Sequence, residues 1–342
     1  MDVKTVGIDL GKNVFHVVGL DERGAITLKR RLTRTQLAVL MANLPRALVG
    51  MEACPGSHHM ARRLEEHGHT VRLLPPQYVR PYVKTNKNDF RDAEAIAEAV
   101  GRGTMRFVPP KTVAQLDLQA RHRVRDRLVG HRTALVNQIR AFLLEQGLPM
   151  RPGRLALRSE LRRRLATAPS GISPSLACLL AQLSQEWEQL EDRIERVTEE
   201  ITALAHREPA CQRLMAVPGI GPISATAIVA AVGNGSGFTK GRDFAAWLGL
   251  VPRQNSTGGR PRLLGVSKHG NTYLRRLMVL GAQAVMRSKV RERQRFGPWL
   301  QRLELRVHRN VAVIALANKL ARIAWSVLAK AMPYRPFMED AA

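Results

Sequence analysis

Residues 3–20 read VKTVGIDLGKNVFHVVGL: two apolar runs, 3–10 and 14–20, parted by Gly11-Lys12-Asn13. Runs rich in β-branched residues around a short Gly/Asn break predict an antiparallel strand pair. A third strand is expected over 25–32, a helix near 35–44, a buried strand at 47–51 (ALVGM), a helix over 57–67 and a strand at 70–74 that Pro75-Pro76 ends. A meander that passes into strand–helix alternation predicts an α/β domain on a mixed sheet. From Asn88, a good N-cap, an Ala-rich helix runs to Gly101.

Farther along, 112–146 reads as a long basic helix with apolar Leu128, Leu135, Ile139 and Phe142. The Arg-, Pro- and Ser-rich stretch 151–175 reads as a linker or a segment ordered by RNA. A helix over 176–205 carries Leu179, Leu183, Leu190, Ile194, Val197, Ile201 and Leu204, a coiled-coil-like seam with an acidic solvent face suited to pairing. The string VPGIGPISATAIVAAVG (217–233) has two readings. One is a helix-hairpin-helix whose loop, at Gly219 and Gly221, faces a phosphate backbone. The other is a tight helix–helix turn packed in a core. A polar, basic loop at 252–270 precedes helices near 271–287 and 309–331. The expected domains are 1–110, a helical connector 111–208, a mostly helical C-terminal domain 209–332, and a tail 333–342.

Composition narrows the partners. The chain has 342 residues, 45% of them hydrophobic, enough for two cores, which excludes global disorder. Neither a run of 18 uninterrupted apolar residues nor a charged-then-apolar leader is found, so neither a membrane span nor secretion is expected. Three scattered cysteines (Cys54, Cys178, Cys211) exclude a disulfide framework and a cysteine-rich zinc site, and fit a reducing cytoplasm. The formal charge of +26 points to a polyanion partner, nucleic acid. It is distributed as +4 over 1–100, +11 over 101–170, −5 over 171–210 and +16 over 211–342. Arginine outnumbers lysine 43 to 11, and its planar fork suits phosphates and structured RNA.

Four acids stand at telling places. Asp9 ends the first strand, Glu52 follows the fourth, and Asp89 and Asp92 lie one helical turn apart on a shared face. Carboxylates converging from strand ends and a covering helix suit Mg²⁺ or Mn²⁺ and in-line phosphoryl transfer. GIDLGK also occurs in ATP-binding strand–turn–strand units, but no second glycine-rich phosphate segment accompanies it in the first 110 residues. The adjacent His58 and His59 lack a third metal ligand and read as surface residues capping a helix or contacting nucleic acid. Tyr78 and Tyr82, near the acids, read as packing or base-stacking residues.

Taken in order, GIDLGK, MEACPG, KNDFRDAEAIA, PGIGPISA, LGLVPRQNSTGGR and GNTYLRRLMVLGA resemble the DEDD transposases of the insertion sequence 110 family, most closely its 1111 group. That resemblance spans nearly the whole chain. It implies an N-terminal RuvC-like (RNase H-like) α/β domain, a coiled-coil connector and a helical transposase domain with a nucleophilic serine. It places the acidic tetrad, and Mg²⁺, on Asp9, Glu52, Asp89 and Asp92, and the nucleophile on Ser256. It further implies a noncoding bridge or seek RNA that pairs with donor and target double-stranded DNA. Dimers would assemble to a tetramer whose protomers complete each site, and the location would be cytoplasmic, beside the nucleoid. Around Ser256, Arg253, Arg260, Arg262 and Lys268 are candidates to hold the scissile phosphate, with Lys12 a further nucleic-acid contact, and Gly258-Gly259 would let backbone approach closely. The rival readings are a junction-resolving nuclease that uses the tetrad and water alone, and a non-catalytic architectural protein.

Overall fold

A computed structural model describes residues 2–83, 88–166, 171–288 and 296–336. Residues 167–170 of the expected linker and the tail beyond 336 lie outside them. The described chain forms two compact units, Met1–Val113 and Ala114–Ala342.

In the first unit β1 (Thr5–Leu10), β2 (Val14–Leu20), β3 (Ile26–Thr33), β4 (Leu48–Glu52) and β5 (Thr70–Leu74) make one sheet in the order 3-2-1-4-5. β1 and β2 pair antiparallel with Asp9 opposite His16, as do β2 and β3, while β1, β4 and β5 run parallel. The meander and the parallel half are those expected. α1 (Arg34–Asn43) opens on a capping box between Thr33 and Gln36, and α2 (Ser57–Glu66) connects β4 to β5. The one-turn α3 (Pro76–Val79) is followed by a 3-10 turn over 80–82. α4 (Asp89–Val100) starts on Asn88, whose side chain accepts from the Phe90 amide, and Gly101 is its C-cap.

Two paired glycines set how close α4 comes to the sheet. Gly7 and Gly50 are register partners on β1 and β4. A Cβ on Gly7 would sit 2.1 Å from the Ala93 carbonyl oxygen and 2.5 Å from the Ala97 nitrogen; one on Gly50 would meet Val100 Cβ at 2.8 Å. The helix backbone therefore lies directly on the strand backbone. The sites facing the sheet are small or apolar and buried: Ala93, Ile96, Ala97 and Val100. A glycine within a strand weakens the strand itself, and close approach of another backbone is the usual reason for one.

The second unit begins with α5 (Val113–Glu145), α6 (Arg154–Ala166) and α7 (Pro174–Arg207). α6 occupies part of the stretch expected as linker. Its Leu157 and Leu161, four residues apart and fully buried, supply an apolar stripe that joins Leu128, Leu135, Ile139 and Trp187 in one cluster. α5 and α7 run antiparallel: Arg121 pairs with Glu200 at 3.3 Å and Arg132 with Glu191 at 2.9 Å, while Arg125 donates to Thr198 at 2.8 Å. The expected seam shifts by one residue at its start, to Leu180, Trp187, Leu190, Ile194 and Ile201, and Leu179 is exposed. It is covered within the chain by α5 and α6. The acidic face meets solvent in part, at Asp192, Glu195 and Glu199, while Glu191 receives Arg132 and Arg154 and Glu188 receives Arg162. Such pairs, partly exposed, contribute only about 0–1 kcal/mol each, so the apolar cluster holds the three helices together.

The rest of the second unit packs α8 (Pro209–Met215), α9 (Pro222–Val232), α10 (Gly241–Trp247), α11 (Thr272–Arg287), α12 (Pro298–Arg306) and α13 (Arg309–Ala329) around one core. α13 is long and apolar enough to cross a bilayer by composition, but half of that stretch is buried in this core. In the α8–α9 turn Gly219 has φ +85°, and its Cβ would lie 2.7 Å from the Gly281 carbonyl of α11. Gly219 therefore serves the packed turn, the second of its two readings, while Gly221 is exposed at the head of α9.

Candidate catalytic site

Asp9 lies near the carboxyl end of β1, and Glu52 ends β4 one place beyond Met51, the partner of Ile8. The two are thus neighbours on adjacent parallel strands, at the edge where open α/β sheets bind ligands. Close seating of α4 brings in Asp89 and Asp92 from its first turn. Oxygen atoms of Asp9, Asp89 and Asp92 all lie within 4.8 Å of one another. Glu52 is outside that triad, although its charge and that of Asp9 both reach the Cys54 thiol, whose pKa is pushed up first by burial and then by these two carboxylates. A purely oxygen donor set at this spacing fits a hard divalent cation such as Mg²⁺.

One neighbour of the cluster was not expected from sequence. His16 shares a sheet face with Asp9 as its cross-strand partner. Its Nδ1 lies 3.6 Å from an Asp89 oxygen, and its ring meets the edge of Phe90 at 4.7 Å. It links β2 to the helix turn that carries Asp89. His58 is not a surface cap: its Nδ1 accepts from the Lys111 amide at 3.2 Å, and Arg62 donates to the Lys111 carbonyl. Burial, then the Lys111 and Arg62 charges, lower its pKa to about 4, so it is a neutral acceptor tying α2 to the end of the unit. Lys12 is exposed in the β1–β2 turn, and its carbonyl accepts from Arg34 at 3.3 Å.

Ser256 belongs to the second unit. The stretch expected as a loop is a β-hairpin over most of its length: β6 (Pro252–Gln254) and β7 (Leu263–Val266) pair antiparallel, and the ladder continues through Asn255 N–H to the Arg262 carbonyl at 2.9 Å. At the tip Arg260 N–H donates to the Thr257 carbonyl at 3.1 Å, across Gly258 (φ +54°) and Gly259 (φ +74°). Two central residues with positive φ make a primed turn, matching the twist of the strands; this is what the glycine pair is for. Ser256, one residue before that turn, is exposed, and its Oγ accepts from Gln254 Nε2 at 2.8 Å and from the Arg262 amide at 3.3 Å. Donors aimed at a hydroxyl oxygen favour its charged form. Arg253, Arg260, Arg262 and Lys268 are all exposed on or beside the hairpin.

The family comparisons give the class of protein, a transposase. Residues 6–147 match the DEDD transposase model of the IS110 type, and residues 211–297 match the model described as transposase IS116/IS110/IS902 family. The chain belongs to the IS110/IS116/IS902 family of insertion-sequence transposases. It is 48% identical over 337 residues to a probable family 20 transposase of Pseudomonas aeruginosa, covering 98% of this chain and 100% of that one. It is 44% identical over 328 residues to the transposase of IS1328 from Yersinia enterocolitica (95% and 97% covered). It is 42% identical over 334 residues to that of IS1111A from Coxiella burnetii (98% and 92%).

Proposed function

We propose that the chain exchanges DNA strands between donor and target under the guidance of a noncoding RNA, with Ser256 as nucleophile and Asp9, Glu52, Asp89 and Asp92 as the metal-binding tetrad. The observation that carries the catalytic part is the convergence of three of these carboxylates within 4.8 Å. In support, the order of the four acids along the chain, Asp-Glu-Asp-Asp, is the order in the name of the matching model.

In this reading the Ser256 Oγ–P bond forms as the P–O3′ bond breaks. The 5′-phosphate stays on the serine, and the hydroxyl proton ends on the departing 3′-oxygen. The donors on Oγ, Gln254 Nε2 and the Arg262 amide, stabilise charge on the attacking atom. Arg253, Arg260 and Lys268 neutralise the phosphate. Mg²⁺ bound by the tetrad would supply Lewis-acid stabilisation of the leaving oxygen. Keeping the phosphate covalently bound allows rejoining without ATP. As the family resemblance implies, completion of the site between protomers, and the dimer or tetramer it requires, forms part of the proposal. So does phosphate-backbone contact by the exposed Gly221 turn.

The test uses a nicked donor substrate bound to the full chain with its copurifying RNA. A protein–DNA adduct that maps to Ser256 and vanishes in Ser256→Ala is expected. Free 5′-phosphate ends with no adduct, and cleavage retained in Ser256→Ala, would return the assignment to the tetrad-and-water nuclease. The tetrad has its own check. Saturating Mg²⁺ at about 100 times its Kd should raise the stability of the wild type by about 2.7 kcal/mol. Asp92→Asn should lose that rise while melting near the wild type in chelator. Equal Mg²⁺-dependent shifts in both would exclude Asp92 as a ligand.

A further inference from the structure

We infer that the groove bounded by α10, the β6–β7 hairpin, α12 and α13 binds a single-stranded stretch of nucleic acid. Its volume, about 1330 Å³, exceeds the roughly 300–1,000 Å³ of small-molecule pockets and suits a segment of polymer. Lys240, Arg242, Lys319 and Arg322 line it, and its lining contains no carboxylate. Among the described residues none of these four cations is in an ion pair. The Lys319 ammonium lies over the Trp299 ring, 3.9 Å from its centroid, and its pKa is lowered by burial and by the neighbouring Arg322 charge. Cations crowded together without counter-charge are the electrostatic complement of a chain of phosphates.

The floor points to unpaired bases. Leu250, Ile314 and Trp325 line it, and Trp325 is held in place by its Nε1–H donated to the Gly235 carbonyl at 3.1 Å. A duplex keeps its bases stacked inside and would offer this floor only sugar and phosphate. Unstacked bases offer π faces and apolar edges, with phosphates alongside for the cations. An apolar helix from a second copy would fill the floor but bring no counter-charge to Lys240, Arg242, Lys319 and Arg322, whereas a phosphate chain would. Pro252, Leu264 and Val266 of the hairpin form one wall, so the bound strand runs beside the element that carries Ser256. The inference requires that the chain act on nucleic acid, not that Ser256 be the nucleophile.

The test measures binding of fluorescein-labelled dT15, U15 and a 15-base-pair duplex by anisotropy, with the full chain in chelator, so that it reads independently of cleavage and of the serine assignment. Lys319→Gln/Arg322→Gln is compared with the exposed pair Arg30→Gln/Arg31→Gln of β3. A second groove variant, Lys240→Gln/Arg242→Gln, serves if the first fails to fold. Loss of two phosphate contacts should lower the salt slope for single strands by about 1.4 and weaken their binding about tenfold, with the duplex changed less. A greater loss for dT15 than for U15 assigns the site to DNA, and the reverse to RNA. Equal loss for duplex and single strands, or a groove variant that behaves as the β3 control, would overturn it. So would unchanged single-strand binding with an altered oligomeric state in sedimentation, which would assign the groove to a second copy of the chain.

Discussion

Gly7→Ala is expected to lower the stability of the first unit by about 3 kcal/mol or more and its melting midpoint by on the order of 10–20 °C. The added methyl would stand 2.1 Å from the Ala93 carbonyl oxygen and 2.5 Å from the Ala97 nitrogen. Both are helix backbone atoms, which cannot turn aside as a flexible side chain can, so α4 must lift off the sheet as a body. Asp89 and Asp92 lift with it, while Asp9 stays on β1. Displacing catalytic groups by about 1 Å can cost on the order of 10²-fold in rate, so cleavage by molecules still folded should fall by at least that much. Gly103→Ala is the control, because a Cβ there meets nothing within 4 Å. Scanning calorimetry of the two variants decides the matter. A Gly7→Ala protein that melts with the wild type would show that α4 does not sit where the carboxylate cluster needs it.

The second large effect is a loss of stability between pH 6.5 and pH 4. His122 of α5 is 3% exposed, and its ring nitrogens lie 3.0 Å from Thr226 Oγ1 of α9 and 3.0 Å from Tyr273 Oη of α11. Thr226 gives its own proton to the Pro222 carbonyl at 2.6 Å, so its oxygen can only accept from His122 Nε2–H. Nδ1 must then accept from Tyr273, and the ring is neutral. Burial, and then Arg125, hold its pKa down to about 4. A folded-state pKa below the unfolded 6.5 means that the contribution is complete above pH 6.5. It is lost progressively as pH falls from 6.5 to 4, and loses no more below that. For a group this buried the loss approaches about 3 kcal/mol. His58 adds to the fall in the same direction in the first unit. In urea melts at stepped pH, His122→Gln should start less stable at pH 7.5 by about 1–3 kcal/mol, for its broken hydrogen bonds. The gap to the wild type should narrow toward pH 4. Parallel curves would mean that His122 is not the titrating group.

These two positions mark what could and could not be read beforehand. The strands of the first unit were legible because half-buried strands and their turns impose a local period on the sequence. The Asn88 cap and the Gly101 stop were legible because capping is chemistry between near neighbours. His16 was not, since its place beside Asp89 depends on the register across the β1–β2 turn, and a slip of one residue would send it to the other face of the sheet. The seam of α7 was misplaced at Leu179 because periodicity defines a stripe on a helix but not its partner. Here α5 and α6 choose the neighbouring face, and their arginines pair with Glu188 and Glu191.

The stretch 154–166 illustrates the same division. Its arginines mask the apolar pair Leu157 and Leu161, which becomes a core only when α5 and α7 come to meet it. Around Ser256 the glycine pair signalled a turn, but only the ladder bond from Asn255 to Arg262 shows that the turn closes a hairpin.

By itself the sequence determined the mixed α/β front half, the order of the four acids, the surplus of arginine and the class of polyanion it must meet. All of these are properties of composition or of residues close along the chain. Tertiary structure alone decided that Gly7 and Gly50 admit α4, that the carboxylates of Asp9, Asp89 and Asp92 thereby meet, and that four cations without an ion pair line one apolar groove. Each depends on backbones and charges brought together from distant parts of the chain, where distance in space, not in sequence, sets the energy.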